Sequence, residues 1–482
     1  MRTMNEAKKA EMVKLLGEDK VSDSDKDLSV YAGNESPSLV VWPANTEDVV
    51  TIIKWANKNS IPLVPVSSTG PKIRGSSLPK VKGALVVDLS KMERILRIDA
   101  TNKVAMVEPG VTFDTLISEL KKEGLRPLMP LLPKASKSVL TSCLDREPIT
   151  TPRYHWDTTD PLLCTETVFG TGDILRTGAA AGPGSLEEQW ESGQAQKNPM
   201  GPSQFDPFRF VQGAQGTIGI VSWISMKCEV LPDKQLLLLA QSDDLKSFEE
   251  FSYRVFRRRL ADEHFMLNAV NLKAILSTSN QYAPWTLIIG VSGHGQIADE
   301  ELDYRVWDIR DIGSETGVDL QENFDAIRSS DIEGILNRSS RVPYWKLEVA
   351  GNCFEVMFTT TLDRVQEYYE MFCKVAEECD FPVDQIGVYV QPMNQGSNTH
   401  VGFDIFYRLD EETESAISLL AKGQRKLLDQ GAYFSRPYGV ITDAVYEKAS
   451  PMTVTAMKRV KSIFDPNNIL NPGTLCFKEV PK

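Results

Sequence analysis

The chain lacks several features that would have settled its class at once. It has no run of 18 apolar residues, so no segment reads as a transmembrane helix. It has seven cysteines but no CxxC and no CxxCH, which leaves no zinc, iron–sulfur or haem attachment motif. An odd count in no framework is the usage of reduced thiols, so a cytoplasmic location is the expectation. Positive charge is scarce: 53 Lys and Arg stand against 66 Asp and Glu, for a net charge of -13. That balance excludes a nucleic-acid partner, whose phosphates require a basic face. Histidine is rare as well, with four in all: His155, His264, His294 and His400. The opening "MRTMNEAKKAEMVKLLGEDK" lacks an apolar signal core and reads as a polar helix. No G-x-G-x-x-G follows any strand-like run, so the nicotinamide Rossmann fingerprint is missing. Gly70 to Ser76 has the glycine spacing of a Walker A loop, but Ser76 stands where the phosphate-reaching Lys is needed.

What is present is the make-up of an ordinary globular protein, 41% hydrophobic and 25% charged. Its 482 residues are enough for two or three domains. Thr46 reads as the cap of a helix, with Glu47 and Asp48 in its first turn and Val49, Ile52, Ile53 and Ala56 at helical spacing. Strands are expected around Leu63 to Val66, over "GALVVDL" and over "KVAMVEPGV". Thr112 caps a further helix that Gly124 stops. The alternation makes this half mixed α and β. From Ala179 to Phe210 the composition turns to Gly, Pro, Gln and Ser, the pattern of a long excursion or flexible loop. Strand-like alternation returns over Gln212 to Pro232, and Pro232-Asp233 reads as a boundary.

One loop carries chemistry. "PLVPVSSTGPKIRGSSLP", Pro62 to Pro79, follows a strand with hydroxyls, glycines and two cations, Lys72 and Arg74. Backbone N–H groups and hydroxyls of this kind bind a diphosphate without hydrolysing it. A solvated turn fits the same residues.

The order of this loop, "GALVVDLSKMERILRID" and "KVAMVEPGVTFDTL" resembles the flavin domain of the vanillyl-alcohol oxidase and p-cresol methylhydroxylase family. "TGDILRTG", "GAQGTIGIVSWISMKCEVLP" and "FDPNNILNPGTLCF" are similar to later landmarks of that fold. The resemblance implies an α+β protein. A PCMH-type FAD-binding domain of two α+β subdomains, about 1–90 and 91–233, is joined to a substrate or cap domain with an antiparallel sheet, 234–432. Residues 433–482 return to the FAD domain. It implies that Ser67, Ser68, Thr69, Gly70, Arg74, Gly75, Ser76 and Ser77 cradle the FAD diphosphate. Glu108, Pro109, Gly110 and Val111 would form the turn near the adenosine half. Gly219, Ile220 and Val221 would present a strand backbone to the flavin or adenine. No His stands in the diphosphate loop, so FAD is expected to be held non-covalently, and no metal is expected. His155-Trp156-Asp157 lies a few residues early for the family's His-containing segment.

Two stretches are expected to carry the reaction. "QPMNQGSNTHVGFDIFY" places His400 at a strand that faces the flavin in related enzymes. "GAYFSRPYGV" has Ser435-Arg436 where phenol-oxidising relatives have Tyr-Arg, so Tyr433 or Tyr438 would have to replace the lost tyrosine. An arginine stays charged and would stabilise an anionic reduced ring. Arg436, His400 and Tyr438 are therefore the candidate catalytic residues, and Arg436 also a cofactor contact. The reaction expected is hydride transfer from a benzylic or alcohol C–H to flavin N5 in an FAD-dependent dehydrogenase. The alternatives are a 2-hydroxy-acid dehydrogenase of the same fold, whose "GDGNxH" pattern is absent here, and a non-catalytic FAD-binding electron-relay subunit. With no second redox centre in the chain, electrons would pass to a carrier, or to a cytochrome, iron–sulfur or flavoprotein partner, or the chain would form a homo-oligomer. The excursion from Ala179 to Phe210 is the expected protein contact.

Overall fold

A computed structural model describes residues 2–33, 35–70, 73, 78–152, 160–204, 206–324 and 326–479, with the backbone alone for 2–5 and 204. Arg74 to Ser77, Lys72 and the His155-Trp156-Asp157 segment thus lie outside the described residues.

Three sheets organise the chain. The first has the order Val21–Ser22, Leu39–Val41, Leu85–Asp88, Leu63–Val66. Its last three strands run parallel, with helix Thr46–Asn59 as the crossover between two of them. A parallel pair requires such a connection, and a strand buried on both faces reads as an unbroken apolar run, as Leu85 to Val87 does. The cap of the crossover helix is Asn45, not Thr46: Asn45 Oδ1 accepts the Asp48 N–H at 2.8 Å. Thr46, one residue inside, instead donates its hydroxyl to Glu166 at 2.8 Å. The second sheet is antiparallel, in the order Ile95–Asp99, Val104–Val107, Gly219–Val230, Leu162–Phe169, Ile174–Arg176.

The segment after it is not the flexible excursion that its composition implies. Ala180, Gln189 and Gln196 are fully buried or nearly so. Gln189 donates to the Gly182 carbonyl at 3.0 Å, and Gln196 donates to Gln189 at 3.0 Å. Ser225 on the neighbouring strand donates to the Gln196 carbonyl at 2.8 Å. Buried amides that saturate backbone carbonyls give a polar segment a fixed place in the interior.

The third sheet is fully antiparallel, in the order Lys234–Ser242, Trp285–Gly293, Glu263–Asn268, Ile386–Met393, Asn398–Tyr407, Asn352–Thr360. Alternation along Asn398–Tyr407 splits its side chains between two faces. Val401, Phe403 and Ile405 enter the core beneath helices Val365–Glu378 and Thr413–Asp429. His400, Gly402 and Asp404 line a cavity on the other face. After this sheet the chain returns to the first: Leu63 N–H donates to the Ile469 carbonyl and Asn471 N–H to the Leu63 carbonyl, each at 2.7 Å. Buried Lys461 pins that return, bonding Thr217 O and Asp465 Oδ2 at 2.7 Å and Leu470 O at 3.1 Å. Among the described residues no helix is long and apolar enough to cross a membrane.

His264 gives the fold a pH signature. Its ring is buried, bonds Ser252 through Nε2 at 3.0 Å and lies 4.4 Å from the Phe256 ring. Burial drives its pKa down to about 3. The unfolded chain therefore takes up the proton first, and stability falls as pH drops below about 6.5, levelling off near the folded value. The site should cost about 2 kcal/mol between pH 7 and pH 5. In urea melts, His264→Gln should lose that much less than the parent over the same interval; equal losses would refute the assignment.

Candidate active site

Two neighbouring cavities share Ser68, Thr141 and Asp145. The first takes its floor from the third sheet. Asp404 lies opposite Glu355 on one neighbouring strand, and Gly402 lies between Met357 and Tyr389. A Cβ at Gly402 would meet nothing closer than His400 Nε2 at 3.8 Å, so this glycine leaves floor space open. Lys346, on the short helix Trp345–Glu348, bridges Glu355 at 2.5 Å and Asp404 at 2.6 Å. Asn271 donates to the other Asp404 oxygen at 3.0 Å. Burial by itself would lower the Lys346 pKa, but Asp404 and Glu355 hold it well above its ordinary value. Asp404 is raised, by burial first. Burial also raises the Tyr389 phenol, which donates to Gln391 at 2.6 Å and so stays protonated. The His400 ring stands edge-on to Tyr389, 6.0 Å between centroids.

Arg436 enters the same cavity from a tethered strap. At one end of the strap, Tyr433 and Thr359 exchange backbone bonds at 2.8 and 3.1 Å. At the other, Gln215 donates to the Pro437 carbonyl at 3.0 Å. Between them Arg436 is only 9% exposed, and its Nη1 has no hydrogen-bond partner among the described residues. A surface ion pair, the commonest fate of an arginine, is thereby excluded. A buried cation without a partner is costly, which marks the place of an anion or a carbonyl oxygen.

The second cavity runs from the diphosphate-loop strand to the strand Gly219–Val230. Ser67, Ser68, Gly219, Ile220, Val221 and Tyr438 line it. Gly213 also lines it, and a Cβ there would meet nothing within 4 Å, so the cleft is open at its backbone. A glycine-edged cleft that ends beside an unpartnered arginine fits a flat, anionic cofactor. The loop is anchored from one side: Ser138 N–H donates to Ser68 Oγ at 3.0 Å, and Lys134 and Ser136 donate to the Thr69 carbonyl at 2.7 and 2.8 Å. Ser67 bonds Thr141. Gly70 has φ 78°, the left-handed region where glycine is preferred. Lys72 and Arg74 to Ser77, the rest of that expected cradle, are outside the described residues.

Residues 37–139 match the FAD binding domain family, and residues 440–475 match the C-terminal domain of FAD linked oxidases. The chain thus carries the two sequence signatures of FAD-linked enzymes, and its fold is the p-cresol methylhydroxylase-type FAD-binding fold. It is an FAD-linked oxidoreductase. The fold is similar to that of p-cresol methylhydroxylase with substrate bound, at TM-score 0.84 and 19% identity, covering 98% of this chain and 97% of the other. The 4-ethylphenol oxidase of Gulosibacter chungangensis in its isoeugenol complex has TM-score 0.83, at 19% identity and the same coverage. In sequence, the chain is 23% identical to a D-lactate dehydrogenase of Anaerostipes hadrus over 503 residues, covering 96% of this chain and 94% of the relative.

Within this family fold, the expected residues separate. Arg436 and His400 share the first cavity; Tyr438 lies in the second. Tyr433 is 67% exposed and lines neither cavity. The turn Glu108 to Val111 lines neither cavity. Glu108 is buried and holds the Arg94 guanidinium at 2.7 Å and its N–H at 2.8 Å. Gly110 donates to the Met92 carbonyl at 2.6 Å, and Ser138 to the Pro109 carbonyl at 2.6 Å. A Cβ at Gly219 would strike the Thr167 methyl, so strand packing alone demands glycine there. Sequence reading missed Lys346, Glu355, Tyr389 and Asp404. Asp404 had a signal, four residues beyond His400 on one strand face; Lys346, in "PYWKLE", had none.

Proposed function

We propose that the protein is an FAD-dependent dehydrogenase that takes a hydride from a benzylic or alcohol C–H, with Arg436 as the anchor of the reacting molecule or of the ring. The observation that carries this is the buried, unpartnered Arg436 Nη1 in a cavity that also holds His400 and adjoins the cofactor cleft. When bound, FAD supplies the two-electron acceptor. The chain's own groups do the rest. Arg436 holds a phenolate, carboxylate or ring oxygen. His400 takes or holds the substrate proton, with Tyr389 beside it held by its own hydrogen bond to Gln391. Leu131, Leu267, Ile275 and Trp345 give the cavity apolar walls that keep water from these charges. The electrons then pass to a carrier or partner.

A second reading, oxidation of a 2-hydroxy acid, is supported by the D-lactate dehydrogenase relative and by the same arginine, which would take the carboxylate. Anaerobic mixing with a panel of aryl alcohols, 4-alkylphenols and 2-hydroxy acids separates the two. The class that bleaches the oxidised flavin band is the substrate class. No bleaching by any of them, with intact FAD, would refute a dehydrogenase of either kind.

We further propose that FAD is bound without a covalent bond, because neither cavity contains a cysteine and the diphosphate loop contains no histidine. Acid precipitation should leave the yellow colour in the supernatant. A fluorescent band on a denaturing gel would show the opposite.

A further inference from the structure

A larger recess, ≈ 680 Å³ in volume, adjoins the first cavity and shares Ile275 and Trp345 with it. Three arginines line it, Arg328, Arg338 and Arg341, against two carboxylates, Asp331 and Glu348. Both carboxylates are engaged: Asp331 accepts the Arg328 N–H at 3.2 Å, and Glu348 accepts the Ser277 hydroxyl at 2.8 Å. Arg338 donates to the Ser339 carbonyl at 3.1 Å. Neither Arg338 nor Arg341 makes an ion pair among the described residues. Burial and the neighbouring Arg341 both lower the Arg338 pKa. On a chain of net charge -13, a recess in which three arginines outnumber two carboxylates, and two of the arginines make no ion pair among the described residues, is not a product of composition.

The loop that carries them is built rigidly. Ser340 N–H donates to the Pro133 carbonyl at 2.7 Å, and the Ser340 hydroxyl accepts the Trp345 N–H at 3.1 Å. Ser339, also buried, shares a hydrogen bond with Asp114 at 3.0 Å. Trp345 stands at the shared wall, 6% exposed, and its indole Nε1 has no partner among the described residues. A buried donor without an acceptor is uncommon and costs free energy unless a ligand supplies one.

We propose that this recess binds the anionic end, a carboxylate or a phosphate, of the molecule whose oxidisable carbon occupies the cavity beside Arg436. The proposal rests on the reading of that cavity as the substrate site. Guanidinium groups in pairs suit planar or tetrahedral oxyanions, which accept from several N–H groups at once. The substrate is then an elongated acid, with its charge remote from the carbon that is oxidised.

Calorimetric titration of the FAD-loaded protein with inorganic phosphate and, separately, with succinate tests the site and tells the two anions apart. At least one should bind, and Arg338→Gln/Arg341→Gln should weaken it roughly tenfold or more. Flavin absorbance and melting temperature of the variant check that it is folded. Arg436→Met removes the other anion place, so a site that survives in it and is lost in Arg338→Gln/Arg341→Gln belongs to the recess; loss of all anion binding in Arg436→Met would put the anion beside Arg436 and overturn the recess. So would no binding of either anion, or equal binding by the double variant. Acidic compounds that reduce the flavin should show a KM raised roughly tenfold in the double variant, with kcat within about twofold. If only uncharged compounds reduce the flavin, or KM is unchanged, the recess is not a substrate subsite. Failure of the oxidoreductase reading would appear differently, as anion binding without any flavin reduction.

Discussion

Arg436→Met is expected to slow substrate-driven flavin reduction ~10²–10³-fold while the protein still folds and carries FAD. One preorganised charged donor that is itself buried contributes about that factor. The methionine keeps most of the side-chain volume, so the strap from Tyr433 to Pro437 retains its bonds to Thr359 and Gln215. Folding should not suffer, because the guanidinium Nη1 has no partner to abandon among the described residues. Stopped-flow absorbance under anaerobic conditions reads the rate. A loss in kcat with unchanged KM would place the arginine on the transition state; a rise in KM alone would make it a binding group. A variant that reduces its flavin at the parent rate would end the case for Arg436 at the reacting centre.

Lys346→Met should cost about 3–5 kcal/mol of stability, since it leaves Asp404 and Glu355 as uncompensated buried charges. The loss should shrink as pH falls. Asp404 already has a raised pKa through burial, and without the lysine it takes up a proton more readily still. Protonation removes the repulsion across the Glu355–Asp404 strand pair. Replacing all three with apolar side chains of similar size should restore much of the stability, because the desolvation cost of the ions disappears with them. Urea unfolding at pH 7 and pH 5 measures both effects. A single-variant loss below about 1 kcal/mol would show that water reaches the cluster and screens it.

These two side chains differ in how legible they are. Arg436 is legible as an expectation from a local motif, because it lies in the short stretch "SRPYGV". Lys346 lies on a four-residue helix far along the chain from Asp404, and only the folded sheet brings it between two carboxylates.

The same division runs through the molecule. Sequence alone determined the strands Leu63–Val66, Leu85–Asp88 and Val104–Val107, the helix that starts after Thr112, and the fold class. Those features rest on short-range physics: apolar periodicity, capping hydroxyls and glycines at positive φ, all carried by residues close in the chain. It also determined that His400 lies on a strand whose alternate residues are apolar, since a period of two is local. Tertiary structure alone decided which face of that strand is the cavity, and that Gly402 opens its floor. It decided that the Gln-rich segment after Gly178 is packed, because folding brings Ser225 of the neighbouring strand to the Gln196 carbonyl. It decided that Glu108 belongs to Arg94, that Tyr433 faces solvent, and that Arg338 and Arg341 share a recess beside Trp345. Each of these depends on burial and on unpaired charge, which are set by packed neighbours that no local pattern encodes.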